Sequence, residues 1–175
     1  MNQVAFVMPS DFYYFAVYYA AFTGGLMIDI HKVPVVYFAG GMKTGWPARV
    51  REAVPGVIYI DPSESGLKDE KAYTAYDLAG VERSNVVFGF MEKTNPGGSG
   101  LAVEFGWAAA RGGKALLLVE EQGYPQQRYF GMVRALAHAC YEGDAGFELA
   151  IADLRFIRDR GVDEYMARLA RQGAA

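Results

Sequence analysis

The chain has 175 residues, of which 52% are hydrophobic and 21% charged, and its formal net charge is −3. This size and composition predict a folded protein of one domain, or at most two small ones, and exclude a disordered chain. A mildly acidic chain lacks the excess of positive charge that binds a phosphate backbone, so we expect no nucleic-acid polymer as a partner. Cys140 is the single cysteine, which excludes an intrachain disulfide framework and a cysteine-rich zinc site.

An uncharged aromatic segment lies between Asp11 and Asp29, near the N-terminus. Its length is at the lower limit for a membrane span, but tyrosine hydroxyls and a glycine pair interrupt it. No Lys or Arg precedes it, so it lacks the charged start of a signal peptide. We therefore predict an N-terminal extension over residues 1–32, with a strand at Gln3–Met8 and a buried aromatic helix at Phe12–Phe22. We expect no membrane partner and a cytoplasmic location.

From Val33 onward, apolar β-branched segments alternate with segments of helical periodicity. The pattern predicts strands at Val33–Ala39, Val57–Ile60, Val86–Met91, Ala115–Val119 and Ala137–Tyr141. It predicts helices at Trp46–Ala53, Lys71–Arg83, Leu101–Arg111, Gln126–Leu136, Phe147–Arg160 and Val162–Arg171. Strands that are apolar on both faces and alternate with helices indicate an α/β domain over residues 33–175, with a parallel sheet flanked by helices on both faces.

Ligands of such sheets bind beyond the carboxyl ends of the strands. The candidate loops are therefore Gly40–Trp46, Asp61–Gly66 and Glu92–Gly100. The last of these contains a glycine-rich stretch from Asn95 to Gly100, which lacks the Lys-Ser/Thr pair of a phosphate-binding P-loop. This stretch is either a plain strand-to-helix turn or a place where backbone approaches a ligand closely. We expect Trp46 to form a lid or wall of the first loop.

Two carboxylates and a tyrosine are candidates for chemistry. Glu104 lies in the first turn of its predicted helix, where it is either a solvated residue favoured by the helix dipole or a nucleophile aimed into the crevice. Asp77 shares one helix stripe with Tyr73 and Val81, so it is either paired or functional on a partly apolar face, or turned toward water. Tyr37 lies within the first strand and is either a core residue or a group that orients a carboxylate.

Three motifs occur in a characteristic order along the chain. They run from Val36 to Met42, from Tyr76 to Ser84 and from Asn95 to Ala108. Together they resemble the nucleoside 2-deoxyribosyltransferase-like family. The later segments Gly113–Val119 and Arg128–Val133 resemble the next strand and the following helix of that family. Each motif is loose by itself, whereas the ordered set is fairly specific.

The resemblance implies a flavodoxin-like (Rossmann-like) fold and cleavage of the N-glycosidic bond of a (deoxy)nucleoside or nucleotide. By this resemblance, Glu104 is the nucleophile that forms a covalent glycosyl intermediate, Asp77 is the carboxylate near the sugar, and Tyr37 positions the nucleophile. Residues that the resemblance assigns to substrate binding are Gly40, Gly41, Met42, Trp46, Asn95, Ser99 and Gly100. It further implies a small-molecule substrate, no metal or other cofactor, and a homo-oligomer, a dimer or higher, whose neighbouring subunit often completes the site.

One position departs from the family pattern. Transferases of the family carry an acidic residue near the base, six positions before the nucleophile, whereas this chain has Gly98 there. The departure weakens transfer to another base relative to hydrolysis. It also leaves open a non-catalytic module that binds or senses nucleotides on the same fold. A flavodoxin-type redox protein is a further alternative, although nothing in the sequence specifies a flavin site.

Overall fold

The computed structural model describes residues 33–94 and 97–173. The strand and aromatic helix predicted within residues 1–32 lie outside the described residues, and so does Asn95. None of the helices in the described part of the chain is long and apolar enough to cross a membrane.

Five strands, all parallel, form one sheet within the described residues. They are β1 (Val35–Gly40), β2 (Ile58–Ile60), β3 (Val86–Met91), β4 (Ala115–Glu120) and β5 (Ala139–Glu142). Their order in the sheet is β2-β1-β3-β4-β5. Because β2 lies on one side of β1 and β3 on the other, the order in which the chain adds strands reverses between β1 and β3. The carboxyl ends of these two neighbours are therefore the expected place for a ligand.

Six α-helices of the described residues cover the sheet. They are α1 (Trp46–Ala53), α2 (Glu70–Arg83), α3 (Ser99–Arg111), α4 (Gly131–Leu136), α5 (Gly143–Arg160) and α6 (Val162–Gly173). One core lies between the sheet and α1, α5 and α6, and a second core lies between the sheet and α2, α3 and α4. This arrangement confirms the predicted α/β fold of flavodoxin-like type with helices on both faces.

The central strands are buried on both faces, as their apolar sequences predict. Because successive side chains of a strand point to opposite faces, Tyr37 enters the core beneath α2 and α3, whereas Phe38 enters the core beneath α1 and α5. On the Phe38 side, Trp46 and Phe88 complete an aromatic cluster with ring centroids 4.9 to 6.4 Å apart. Burial of each large aromatic side chain contributes about 2 to 3 kcal/mol.

Some predicted boundaries differ from those of the structure. Helix α3 begins at Ser99 rather than Leu101, so Glu104 lies in its second turn and the expectation of a first-turn carboxylate is wrong. The predicted helix Gln126–Leu136 is divided into a 3₁₀ helix, Gln127–Phe130, and α4, because Phe130 leaves the helical conformation. Helix α5 begins at Gly143, four residues before the predicted Phe147.

Candidate active site

Glu104 and Tyr37 meet between α3 and β1. The Tyr37 hydroxyl donates a hydrogen bond of 2.7 Å to Oε1 of Glu104. Tyr37 is fully buried and Glu104 is only 8% exposed. Both interpretations of Tyr37 therefore apply. Its ring belongs to the core, and its hydroxyl forms a hydrogen bond with a carboxylate. Glu104 is not a solvated helix residue.

The surroundings of Glu104 shift its acidity strongly. Burial raises the pKa of Glu104, the Tyr37 hydrogen bond lowers it, and the nearby Asp77 carboxylate raises it again, with a result of about 7. Near neutral pH the side chain is therefore present both as the acid and as the carboxylate. Burial, together with the charge of Glu104, raises the pKa of Tyr37 far above its ordinary value, so its hydroxyl remains a donor.

Asp77 comes to this place from the middle of α2. On its helix stripe Tyr73 is 40% exposed and Val81 is fully buried, so Asp77 stands at the border between water and core. Its Oδ1 atom is buried and has no hydrogen-bond partner among the described residues. Burial raises the pKa of Asp77. A buried carboxyl oxygen without a partner is unfavourable by itself, and a hydroxyl or amine of a bound ligand would satisfy it.

The loops predicted to bind substrate flank this group at the carboxyl edge of the sheet. Gly40 ends β1 and Gly41 is buried directly after it, while Met42 packs partly against the core beneath α1 and α5. Ser99 and Gly100 are exposed and begin α3. The N-cap of α3 is Gly98, which offers no side-chain hydrogen bond to the backbone N–H groups of the first turn. Substrate binding by these residues stays a prediction.

Trp46 takes a position that its place in the loop did not suggest. It is 3% exposed and packs in the core beneath α1 and α5, and its indole N–H donates to the carbonyl oxygen of Gly41. Of the two expectations, a lid is wrong because aromatic packing draws the indole into the core, whereas Trp46 does form part of the wall of a cavity beside the loop. Substrate binding by Trp46 stays a prediction. Trp46 also anchors the loop from the face of the sheet opposite Tyr37.

A cavity of about 320 Å³ lies beside this anchor. Its lining includes Trp46, Phe90 and Phe147, together with the cations Arg49 and Lys93. Tyr37, Asp77 and Glu104 do not line it. Arg49 stacks 4.1 Å above the centre of the Phe147 ring and is ion-paired with Glu148, so its charge is already compensated. The cavity is therefore separate from the group formed by Tyr37, Asp77 and Glu104.

Sequence reasoning missed Glu92, which follows β3. This residue is fully buried, and its carboxylate accepts hydrogen bonds from the backbone N–H groups of Lys43 and Thr44 and from the Thr44 hydroxyl. Burial alone raises the pKa of Glu92, but these bonds and one from the Thr94 hydroxyl lower it below its usual value. A charged residue directly after a fully apolar strand was the signal that could have found it.

Comparisons with known proteins support the fold. No family model and no curated protein matches the sequence. The solved structure of a 2-deoxyribosyltransferase from the psychrotolerant bacterium Bacillus psychrosaccharolyticus is 20% identical, with a TM-score of 0.51 over 69% of this chain and 90% of that one.

Two other solved structures are similar over smaller parts of the chain. A 2-desoxiribosyltransferase from Leishmania mexicana is 19% identical, with a TM-score of 0.45 over 56% of this chain and 71% of that one. A Clostridium botulinum CMP N-glycosidase is 16% identical, with a TM-score of 0.46 over 66% of this chain and 94% of that one. The likeness to the Bacillus protein confirms the fold that the motif resemblance implied. Both the motifs and the fold of this chain thus resemble those of nucleoside 2-deoxyribosyltransferase-like proteins.

Proposed function

We propose that this protein is a nucleoside 2-deoxyribosyltransferase-like enzyme that cleaves the N-glycosidic bond of a (deoxy)nucleoside or nucleotide. The observation that carries the proposal is the buried carboxylate of Glu104, held by the Tyr37 hydroxyl at 2.7 Å and facing a second carboxyl group, Asp77. The three residues are those that the motif resemblance assigns to catalysis. The fold shared with a 2-deoxyribosyltransferase supports the same function.

In the proposed reaction, the ionised Glu104 attacks C1′ of the sugar. The bond between C1′ and the base nitrogen breaks through an oxocarbenium-like transition state, and its electron pair stays on the base. Glu104 then holds the sugar as an ester, which divides one difficult step into two easier ones. The departing base takes its proton from solvent, and the Asp77 carboxylate lies near enough to Glu104 to stabilise the positive charge that develops on the sugar. Attack on C1′ by another base or by water releases Glu104.

Position 98 favours water over another base as the acceptor. Gly98 has a positive φ of 55°, and a Cβ atom there would lie 2.6 Å from the Phe130 ring. An acidic side chain at this position would therefore require both a strained backbone and a displaced ring. Base activation of the kind that the transferases obtain from this position is absent, and hydrolysis is the favoured outcome.

The same observation supports a second candidate function. A protein that binds nucleotides without cleaving them needs no activation of the base, and Gly98 provides none. In that case the Tyr37–Glu104 pair would bind sugar hydroxyls rather than attack C1′. This non-catalytic sensor or binding module predicts binding without release of base.

We further propose that the enzyme acts in the cytoplasm as a homo-oligomer, a dimer or higher. Two large apolar side chains near α4 are strongly exposed, Tyr129 at 68% and Met132 at 83%. We expect a neighbouring copy of the chain to cover these two side chains. Light scattering of the purified protein measures the oligomeric state directly.

A screen by mass spectrometry tests the function. Purine and pyrimidine deoxynucleosides and their 5′-monophosphates are incubated with the protein, with and without an acceptor base, and with 2-fluoro sugar analogues that trap the intermediate. We expect released base and an adduct on Glu104, both lost in Glu104→Ala and retained in Glu164→Gln, a surface control on α6. Release of base by Glu104→Ala at the wild-type rate would refute the assignment, and binding without release or adduct would establish the second candidate.

A further inference from the structure

We propose that Glu92 is a positioning residue of this site, and that its carboxylate holds the β1–α1 loop, Gly41–Gly45, in the shape that receives the substrate. The inference rests on the proposed function, because the loop follows the strand that carries Tyr37. Glu92 makes no contact with Glu104 in the hydrogen bonds of the described residues, so it would act through the loop and not on the reacting atoms.

The hydrogen bonds show how the loop is held. Oε1 of Glu92 accepts from the backbone N–H of Lys43 at 3.0 Å. Oε2 accepts from the backbone N–H of Thr44 at 3.0 Å and from the Thr44 hydroxyl at 2.7 Å. Hydrogen bonds to an ionised acceptor are stronger than those between neutral groups and more directional than a bare ion pair. One side chain from the end of β3 thus fixes two successive residues of the loop that follows β1.

Gly41 shows that the loop and the carboxylate fit closely. A Cβ atom at Gly41 would lie 2.3 Å from Oε1 of Glu92, so the bare backbone of the glycine packs directly against the carboxylate. The indole of Trp46 donates to the carbonyl oxygen of the same glycine. The loop is therefore held by both a charged group and an aromatic anchor. A displacement of either would move the backbone that follows Gly40.

The location of Glu92 connects it with the substrate and not only with stability. β1 and β3 are neighbours at the point where the strand order reverses, and Glu92 joins their carboxyl ends. The same edge carries the glycines that the resemblance assigns to substrate binding. Groups that bind a substrate need supports that lock their geometry, since displacements of about 1 Å can cost a hundredfold in rate. We therefore expect Glu92 to affect the affinity for substrate more than the chemical step.

The test separates binding from chemistry with two variants. Glu92→Gln offers one carbonyl oxygen and one NH₂ group, so at least one N–H or O–H of the loop faces a donor. We expect KM for the substrate found in the screen to rise about tenfold while kcat changes less than about twofold. This is the result when an interaction that binds substrate and transition state equally is weakened. Thr44→Val, which removes only the hydroxyl bond, should raise KM less, and Thr44→Ser should restore the wild-type value.

A control variant distinguishes positioning from a loss of stability. Asp153→Asn alters another carboxylate with several side-chain donors, Tyr165 and Arg168 among them, on α5 and outside the β1–α1 loop. It should lower the melting temperature and leave KM unchanged. Wild-type KM in both Glu92→Gln and Thr44→Val would overturn the inference while the proposed function stands. Absence of base release from the wild-type protein itself would refute the proposed function and this inference with it.

Discussion

Two buried glutamates, Glu92 and Glu104, have pKa values that are shifted in opposite directions. Glu92 is fully buried and Glu104 is 8% exposed, yet the pKa of Glu92 lies below its usual value and that of Glu104 is raised to about 7. Burial raises the pKa of both. For Glu92, donors from Lys43, Thr44 and Thr94 outweigh the effect of burial, whereas among the described residues Glu104 has Tyr37 as its one donor and a carboxylate neighbour. The number of donors therefore decides the direction in which each pKa is shifted.

The local backbone explains the unequal supply of donors. Glu92 follows a strand and faces a loop whose N–H groups have no partner within a helix or sheet. Glu104 lies in the second turn of α3, facing a strand and a helix that already use their own backbone N–H groups. Only a side chain can donate to it there. The tyrosine hydroxyl on β1 does so.

The largest expected effect comes from removing the Tyr37 hydroxyl that donates to Glu104. Tyr37→Phe takes away the hydrogen bond that lowers the pKa of Glu104, so this pKa should rise above about 7. A smaller fraction of Glu104 is then ionised at pH 7, and we expect base release to fall about tenfold to a hundredfold there. Because the nucleophile must be ionised, activity rises with pH through the pKa of Glu104. The activity of the variant should therefore recover partly near pH 9.

The pH–rate profile of kcat/KM measures this shift. In the wild type we expect the ascending limb near the pKa of Glu104, about 7. An ascending limb of Tyr37→Phe that coincides with the wild-type limb would contradict the role of the hydroxyl. Tyr59→Phe is the matched control, because its hydroxyl donates to the backbone carbonyl of Val54 and its ring packs on the core at the face of the sheet opposite Tyr37. Its profile should match the wild type.

The stability of the two glutamine variants should change in opposite directions. Because the pKa of Glu104 is raised, the folded protein binds this proton more tightly than the unfolded chain does. The contribution of Glu104 to the free energy of unfolding is therefore greatest below about pH 4.5 and is lost as pH rises through about 7. Glu104→Gln should therefore raise the free energy of unfolding at pH 8 by about 1 to 3 kcal/mol. Because the pKa of Glu92 is lowered, its contribution to the free energy of unfolding is present at neutral pH and is lost as pH falls through the pKa that Glu92 has in the folded protein.

For Glu92→Gln we accordingly expect a loss of about 1 to 3 kcal/mol at pH 8. Urea denaturation followed by circular dichroism at pH 8 measures both variants. Equal destabilisation by the two substitutions would contradict the distinction drawn from their hydrogen bonds. The exposed Glu164→Gln should change the free energy of unfolding by less than about 0.5 kcal/mol.

The smallest expected effect concerns Asp77. Its charge raises the pKa of Glu104, so Asp77→Asn should move the ascending limb of the pH–rate profile to lower pH, opposite to Tyr37→Phe, by less than about one pH unit. The rate on the plateau should also fall, since an amide carries no negative charge to stabilise the oxocarbenium-like transition state. A limb that moves to higher pH would show that Asp77 does not face Glu104 as a carboxylate.

Local patterns in the sequence determined much of the fold. The bounds of α1 and β3 agree with the predicted segments Trp46–Ala53 and Val86–Met91. Burial of an element on one or both faces produces a pattern of hydrophobic residues that is visible in the sequence. The alternation of strands and helices determined a parallel sheet covered on both sides. The order of the three motifs indicated Asp77 and Glu104 as the candidate carboxylates. None of these required knowledge of contacts between distant segments.

Only the tertiary structure decided how these residues act. Tyr37 and Glu104 come from a strand and a helix far apart in the chain, and their hydrogen bond cannot be read from either segment. The same holds for Trp46, which the aromatic core draws away from the loop, and for Glu92, whose donors lie on another loop. A pKa depends on burial and on neighbours in space, so residues of the same type acquire opposite acidities. Sequence determined the elements and the candidates, and packing decided which glutamate has a raised pKa and which a lowered one.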